Sequence, residues 1–328
     1  MPATPRDLPV WQLALASLRT GVPVALLCVL RSEGSSPGRQ GFKMVVTPDE
    51  TAGSIGGGIM EHKFVELARQ RLRTGDSSAL LRPQIHRREA PADRSGMMCS
   101  GEQDVLLLPL TAADLGSISL VVNALLTLSG GYVELSAATG LRVLPNQSLP
   151  TFYVYQPGPD WLYREQLGFR EQVTIVGGGH VSLALSRVLA LLDFELTVLD
   201  DRAELPTLEA NTYAHHRRVV SYDHLAAEVA AHPQHYVVVM TVGYRTDTQA
   251  LRQLLGRTRE GQPYRYLGVM GSQAKIAELR RVLREEGFSD ASLAALRGPI
   301  GISINSKTPE EIAVSVAAEI IGVRNAAF

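Results

Sequence analysis

Residues 173–182 read V-T-I-V-G-G-G-H-V-S, an apolar run that leads directly into three glycines and the start of a helical pattern. Glycines between a strand and a helix let the backbone approach a phosphate, which the free N–H groups and the helix dipole then bind. Asp200 follows the next predicted strand, near the distance at which an acid binds the ribose hydroxyls of NAD. This stretch therefore predicts a Rossmann-type domain with a nucleotide-type site on Gly177, Gly178 and Gly179. The alternative is a doubly wound domain that keeps the turn and binds nothing.

Strand and helix patterns alternate on the C-terminal side of this turn. The predicted strands lie at 172–176, 195–199, 218–222, 236–241 and 264–270, and the predicted helices at 180–191, 247–257, 274–286 and 309–323. Strands that alternate with helices of this length form βαβ units, in which helices cover both faces of a parallel sheet. The predicted fold class is therefore α/β, with a Rossmann-like C-terminal domain over residues 166–328.

The first half of the chain predicts a smaller α/β domain over residues 1–165. Helices are predicted at 8–19 and 60–73, and strands at 22–30, 42–47 and 103–109. Residues 112–165 predict a helix, a hairpin around Gly130 and Gly131, and an aromatic, proline-rich stretch that holds the domain boundary.

Composition narrows the classes of partner. The 328 residues carry a net charge of −1, which gives no general attraction to nucleic acid or to an anionic membrane. The longest apolar run, 22–30, is too short to span a bilayer, and the first residues lack a signal-peptide pattern. With two cysteines, a disulfide framework is not expected. We expect a cytoplasmic protein that binds neither nucleic acid nor membranes.

Further candidate site residues follow the predicted strands of the C-terminal domain. Because the carboxyl ends of parallel strands share one rim, Thr241, Gly271 and Ser272 are candidate cofactor-binding residues beside the glycine turn, and Asp247 is a candidate pocket residue. Each of them can instead serve a turn or a helix cap. His180 directly follows the glycines, where it either faces a ligand or stands in water at the start of a helix.

A second glycine-rich turn between a strand and a helix lies at residues 54–61. The backbone at Gly56, Gly57 and Gly58 can hold an anion, although the absence of G-K-[ST] excludes a nucleoside-triphosphate P-loop. Glu61 would repel a phosphate if it pointed inward, but would suit a hydrogen-bonding partner. The alternative is tight packing with a favourable acid at a helix start.

The two cysteines predict different environments. Cys28 lies within an apolar strand and is expected to be a buried small hydrophobe. Cys99 lies in a polar loop flanked by glycines, where its thiol could react or ligate a soft metal, so Cys99 is the candidate cofactor and metal ligand. The alternative is an incidental loop cysteine. His215 and His216 are expected in an exposed loop rather than as a metal pair.

Ten short motifs together resemble one family. In the first half they are Gly34-Ser-Ser-Pro37, Gly41-Phe-Lys-Met44, Gly53-Ser-Ile-Gly-Gly-Gly-Ile-Met-Glu61 and Met98-Cys-Ser-Gly101. In the second half they are Val176-Gly-Gly-Gly-His180, Asp200-Asp-Arg202, Val239-Met-Thr241, Leu267-Gly-Val-Met-Gly-Ser272, Pro299-Ile-Gly301 and Lys307-Thr-Pro-Glu-Glu-Ile-Ala-Val-Ser315. The chain resembles the xanthine dehydrogenase accessory proteins of the XdhC/CoxI family over nearly its whole length.

This resemblance implies a maturation factor rather than an enzyme. Such proteins bind the molybdenum cofactor (molybdopterin) and interact with a cysteine desulfurase while the terminal sulfur ligand is installed. They then deliver the cofactor to an apo xanthine- or carbon-monoxide-dehydrogenase-type molybdoenzyme. A phosphate ester that carries a soft metal would suit two glycine-rich turns and a thiol. A homodimer is compatible with this role, but the sequence does not determine the oligomeric state.

The chain departs from the family pattern at four positions. Ile59 and Ser100 stand where family members often have cysteine and glycine, and Val242 and Gly243 stand where they often have histidine and aspartate. The missing cysteine and histidine remove two plausible cofactor contacts, which implies altered cofactor handling.

The alternative function is an NAD(P)-dependent oxidoreductase with His180 or Cys99 near its substrate. Arg202 would then favour a 2′-phosphate, or would simply be a surface charge. The sequence names no convincing acid–base residue beside a nicotinamide, so the alternative rests on the glycine turn and Asp200.

Overall fold

A computed structural model describes residues 2–85, 101–256 and 264–326. The chain divides into two compact units, one formed by Thr4–Gly168 and the other by the residues from Phe169 onward together with those before Thr4. The unit that begins at Thr4 is called the N-terminal unit and the other the C-terminal unit.

The N-terminal unit contains two antiparallel sheets. Its first part comprises α1 (Leu8–Arg19), β1 (Val24–Gly34), β2 (Lys43–Val46), β3 (Thr51–Gly53), α2 (Gly58–Thr74), β4 (Leu80–Ile85) and β5 (Gly101–Leu110). These strands form a sheet in the order β3-β2-β1-β5-β4. The central strand β1 is buried from Val24 to Leu30, which explains its continuous apolar sequence.

The second sheet of this unit corrects the prediction for residues 112–165. After α3 (Leu115–Thr127) come β6 (Tyr132–Ser136), β7 (Gly140–Leu144), β8 (Tyr153–Gln156) and β9 (Leu162–Gln166), in the order β7-β6-β9-β8. The predicted hairpin around Gly130 and Gly131 is wrong, because these glycines join α3 to β6. The hairpin turn lies after Ser136, whose hydroxyl accepts from the Thr139 backbone N–H at 3.1 Å. The aromatic, proline-rich stretch at residues 149–161 contains β8 and leads into β9.

The C-terminal unit confirms the predicted Rossmann-type fold. Its elements are β10 (Glu171–Val176), α4 (His180–Leu189), β11 (Phe194–Asp200), α5 (Pro206–Glu209), β12 (His216–Val219), α6 (Leu225–Glu228), β13 (His232–Val239), α7 (Tyr244–Leu255), β14 (Tyr264–Val269), α8 (Gln273–Glu285), α9 (Asp290–Ala295) and α10 (Pro309–Asn325). The five strands are parallel in the order β12-β11-β10-β13-β14. This is the Rossmann order 3-2-1-4-5. Chain order runs outward from β10 on one side and from β13 on the other, so the strand order reverses between these two parallel strands.

Alternate residues of each central strand face two separate cores. Ile175 and Val238 pack with α4 and α10, whereas Val176 and Val239 pack with α7 and α8. Helices therefore cover both faces of the sheet, and ligands of such sheets bind where the strand order reverses. In the described part of the chain, no helix is both long and apolar enough to cross a membrane.

Candidate functional site

The glycine turn after β10 begins with a position that only glycine can occupy. Gly177 has a φ of +111°, and a Cβ there would lie 2.3 Å from the Met240 carbonyl oxygen. The Gly177 N–H donates to the Leu199 carbonyl at 2.7 Å, which ties the turn to the end of β11. The close approach to β13 therefore places the start of α4 beside the point where the strand order reverses.

The N-terminus of α4 is open. Gly179 is its N-cap, no side chain caps the helix, and a Cβ at Gly179 would have no atom within 4 Å. His180, the first helical residue, is exposed. Ser182 is 1% exposed, and its Oγ has no hydrogen-bond partner among the described residues. Uncapped N–H groups at a helix start form a site for an anionic oxygen.

Asp200 lies at the end of β11 and is completely buried. Its carboxylate accepts from the Gly178 backbone N–H at 2.6 Å and from the Arg202 Nε at 2.8 Å. Burial opposes ionisation, but the hydrogen bonds from Arg202 and from the backbone outweigh it and lower the pKa of Asp200. The carboxylate is therefore charged and paired within the protein.

Thr241 belongs to a buried polar network at the end of β13. Its hydroxyl donates to Asp247 Oδ1 at 2.6 Å, and its backbone N–H donates to the same oxygen at 3.1 Å. The other oxygen of Asp247 pairs with Lys275, whose ammonium also donates to the Met270 carbonyl at 3.1 Å. The network links the loop after β13 with the loop after β14.

Sequence reasoning missed Lys275, although a signal for it exists. Ser272 is the N-cap of α8 and accepts from the Lys275 N–H at 3.2 Å, three residues after the cap. A Cβ at Gly271 would lie 2.6 Å from the Lys275 Cδ. Gly271 thus makes room for the lysine stem, which explains the spacing G-S-x-x-K.

The glycine turn of the N-terminal unit is closed by its own acid. Glu61 Oε2 accepts from the Ser54 hydroxyl at 2.6 Å, from the Ile55 N–H at 2.9 Å and from the Gly57 N–H at 3.0 Å. The three turn glycines have positive φ angles: Gly56 +125°, Gly57 +76° and Gly58 +72°. Glu61 points inward, so its carboxylate occupies the place that an anion would take. Ile59 beside it is exposed.

Cys99, the candidate cofactor and metal ligand, lies outside the described residues. Cys28 is fully buried as predicted, and burial raises the pKa of its thiol. Within the described ranges, no group of three or more His, Cys, Asp or Glu side chains could hold a metal ion. His215 is half-buried instead of exposed, because its ring bonds the backbone of Leu196 and Ala3.

The fold brings the C-terminal candidates to one rim and keeps the others in a separate unit. Gly177–Gly179, His180, Asp200, Thr241, Gly271 and Ser272 all stand at or after the carboxyl ends of parallel strands. Gly56, Gly57, Gly58 and Glu61 belong to the N-terminal unit.

Family models match a segment in each half of the chain. Residues 173–320 match the family model described as the XdhC Rossmann domain, and residues 17–82 match the model of the XdhC and CoxI family. The uncharacterized protein YqeB of Escherichia coli (strain K12) is 27% identical over 310 residues, which are 92% of this chain. The chain spans 44% of the length of that relative.

A solved structure shares the fold. It is the crystal structure of a protein from Bacillus halodurans described as a xanthine dehydrogenase, with a TM-score of 0.69 and 21% identity. The match covers 98% of this chain and 96% of the other.

Proposed function

Because the chain belongs to the XdhC and CoxI family, we propose that it is a maturation factor for a xanthine-dehydrogenase-type molybdoenzyme. Family membership suggests an accessory role of this kind. The finer proposal is that the chain binds the molybdenum cofactor during sulfuration, together with a cysteine desulfurase. It then hands the cofactor to an apoenzyme of the xanthine- or carbon-monoxide-dehydrogenase type.

The open N-terminus of α4 is the observation that carries this proposal. Gly179 leaves free space next to the first N–H groups of the helix, and Ser182 adds a buried hydroxyl that lacks a partner in the described chain. The molybdenum cofactor, when bound, supplies a phosphate ester, a pterin and a soft metal held by a dithiolene. The phosphate ester fits this helix start, where the N–H groups and the dipole would hold it.

The N-terminal unit contributes less to phosphate binding than its sequence suggests. A phosphate on Gly56–Gly58 would have to displace Glu61 from three hydrogen bonds. The N–H groups of Gly177 and Gly178 already bond Leu199 and Asp200. We therefore assign the phosphate to the last glycine of Gly177–Gly179 and the uncapped start of α4, with His180 beside it, and keep Cys99 as the proposed soft ligand.

Replacing Gly179 with leucine tests the phosphate site without a steric clash inside the protein. The φ of Gly179 is −72°, and nothing lies within 4 Å of a Cβ there, so the fold should persist. The leucine would cover the N–H groups, and molybdenum and pterin retained per protein after gel filtration should fall at least about tenfold. Gly116→Leu on α3 is the matched control, because a Cβ there also meets nothing. Equal retention in Gly179→Leu and the parent would refute the site.

Cys99→Ala tests the proposed soft ligand in the same assay. Retained molybdenum should fall while the free energy of unfolding stays near that of the parent. Cys28→Ala is the control, because Cys28 is fully buried and its loss should affect only stability through a small cavity. If Cys99→Ala retains as much molybdenum as the parent, the thiol is incidental.

One observation favours the NAD(P)-dependent oxidoreductase as a second candidate. The strand order 3-2-1-4-5 is that of dinucleotide-binding sheets. Titration with NADH, followed by its fluorescence, separates the two functions. Binding at micromolar concentration with no retained molybdenum would favour the oxidoreductase.

A further inference from the structure

The last residue of β11 and the segment after it fold over the glycine turn. We define the cover as residues 200–209, which include the short helix α5. Asp200 accepts from the Gly178 N–H at 2.6 Å, and the Thr207 hydroxyl donates to the Gly178 carbonyl at 2.5 Å. A Cβ at Gly178 would lie 2.9 Å from the Leu205 Cδ2. Both polar groups of Gly178 are therefore bonded within the protein, and its Cα is packed against an apolar side chain.

Arg202 belongs to the cover and donates three hydrogen bonds to the Asp200 carboxylate. Oδ1 accepts from the backbone N–H of Arg202 at 3.0 Å and from its Nε at 2.8 Å. Oδ2 accepts from Arg202 Nη2 at 2.8 Å and from the Gly178 N–H. A carboxylate offers about four acceptor positions, so all of them are taken. The Asp200 side chain is also 0% exposed, whereas that of Arg202 is 41% exposed.

We propose that Arg202 is a specificity-determining residue that withholds Asp200 from a ribose. In a dinucleotide site this acid accepts from a ribose hydroxyl, and the second glycine of the G-x-G-x-x-G turn, which is Gly179 in this chain, lets the backbone approach the pyrophosphate. Here the same carboxylate bonds Arg202 and Gly178. The rim would therefore bind phosphate ligands without gaining affinity from a ribose diol. This selectivity rests on the phosphate site proposed at the start of α4, but not on the maturation role.

The selectivity is measured by the ratio of two dissociation constants. ADP and 2′-deoxy-ADP carry the same phosphates and base and differ in the hydroxyl that Asp200 would bind. Isothermal titration of the full chain should give a ratio within about twofold of one for the parent. Arg202→Ala frees two side-chain bonds of Asp200, and ADP should then bind at least about tenfold more tightly than 2′-deoxy-ADP, as expected for a hydrogen bond to a charged group.

Two further variants keep the result interpretable. Arg202→Met retains the aliphatic stem and should show the same gain if Arg202→Ala folds poorly. Arg218→Ala removes an exposed arginine that pairs with Glu228, and should leave the ratio unchanged.

The nucleotide titrations can support or overturn the proposal. A preference for ADP that appears only in the Arg202 variants supports the proposal, even if the parent binds neither nucleotide. A parent that already prefers ADP tenfold overturns it. So does a folded pair of Arg202 variants that shows no preference for ADP or no binding.

Discussion

A methyl group should destabilise the protein at Gly177 but have almost no effect at Gly179, although the two residues belong to one turn. At Gly177 it meets a backbone oxygen at 2.3 Å and a φ of +111°, and at Gly179 it meets open space. We expect Gly177→Ala to lower the free energy of unfolding by roughly 2–4 kcal/mol, from backbone strain and overpacking. Gly179→Ala should change it by less than about 0.5 kcal/mol. Urea unfolding measures both, and equal losses would contradict the described turn.

Lys43 provides a second test at the residue scale, because its ammonium is buried among acids. Its Nζ lies 2.6 Å from both Asp7 Oδ2 and Glu165 Oε2, and its side chain is 0% exposed. Burial opposes the charge of Lys43, but the two carboxylates outweigh it and raise the pKa. Burial raises the pKa of Glu165, and Lys43 partly offsets that shift. Lys43 and Asp7 also line a small cavity with Arg6, Val10, Phe42, Gly53 and Ser54.

Lys43→Met should lower the free energy of unfolding by about 3–5 kcal/mol at pH 8, because the buried carboxylate of Glu165 and the partly buried one of Asp7 lose their cation. The pKa of Glu165 should then rise further above its ordinary value of 4.5. When the pKa of a carboxyl group is raised in the folded state, the folded state loses stability as the pH rises through that pKa. The decrease in the free energy of unfolding caused by Lys43→Met should therefore be smaller at pH 5 than at pH 8. Unfolding curves at both pH values check this. Lys63→Met is the exposed control, and a loss independent of pH would contradict the cluster.

Spacing predicted where the site residues stand, but not what they contact. The glycines and Asp200 follow strands, and their distance along the chain indicates a shared rim. The bonds between Arg202 and Asp200, and between Lys275 and Asp247, depend on rotamers and on neighbouring loops. For Glu61 the sequence left two readings open, and only the structure shows the carboxylate inside its turn.

At the scale of elements, the start of α10 is stabilised by a capping box. Thr308 Oγ1 accepts from the Glu311 N–H at 3.2 Å, and Glu311 accepts from the Thr308 N–H at 3.1 Å. Thr308→Ala should lower the free energy of unfolding by about 1 kcal/mol and the melting temperature by roughly 2–4 °C. Ser303→Ala in the preceding exposed loop is the control. An unchanged melting temperature for Thr308→Ala would show that the cap contributes nothing.

Elements with a strong periodic pattern were predicted well, and short or exposed ones were not. Helix α1 begins and ends at the predicted residues, and β10 begins within one residue of its prediction. The edge strand β12 lies at His216–Val219, two residues before the prediction, because all four of its residues are exposed and no burial pattern marks them. The strands β8 and β9 escaped prediction because proline and glycine next to aromatic residues read as a linker.

At the scale of the whole molecule, the first residues of the chain group with the C-terminal unit. His215 makes this contact, since its Nδ1 accepts from the Leu196 N–H at 2.9 Å and its Nε2 lies 2.7 Å from the Ala3 carbonyl. These partners require a neutral ring with its proton on Nε2. Burial lowers the pKa of His215 below its ordinary value of 6.5.

The contact at His215 should therefore weaken in acid. A lowered histidine pKa gives stability that is complete above 6.5 and is lost as the pH falls below that value. Protonated Nδ1 can no longer accept from Leu196, so the amide resonance of Leu196 should shift with the titration of the His215 ring. An NMR titration from pH 7.5 to 5 records both resonances. The His215→Phe variant should abolish the shift, and a Leu196 shift that persists there would contradict the contact.

The carboxylate of Glu61 lies inside its own turn and therefore competes with free anions for the N–H groups of that turn. Because it belongs to the same chain, Glu61 acts as a tethered ligand whose effective concentration is on the order of millimolar or more. A free anion replaces it only above that concentration, or when it brings contacts that Glu61 lacks. Dilute phosphates should therefore partition away from Ser54–Gly58 and toward the start of α4, where no tethered competitor caps the helix.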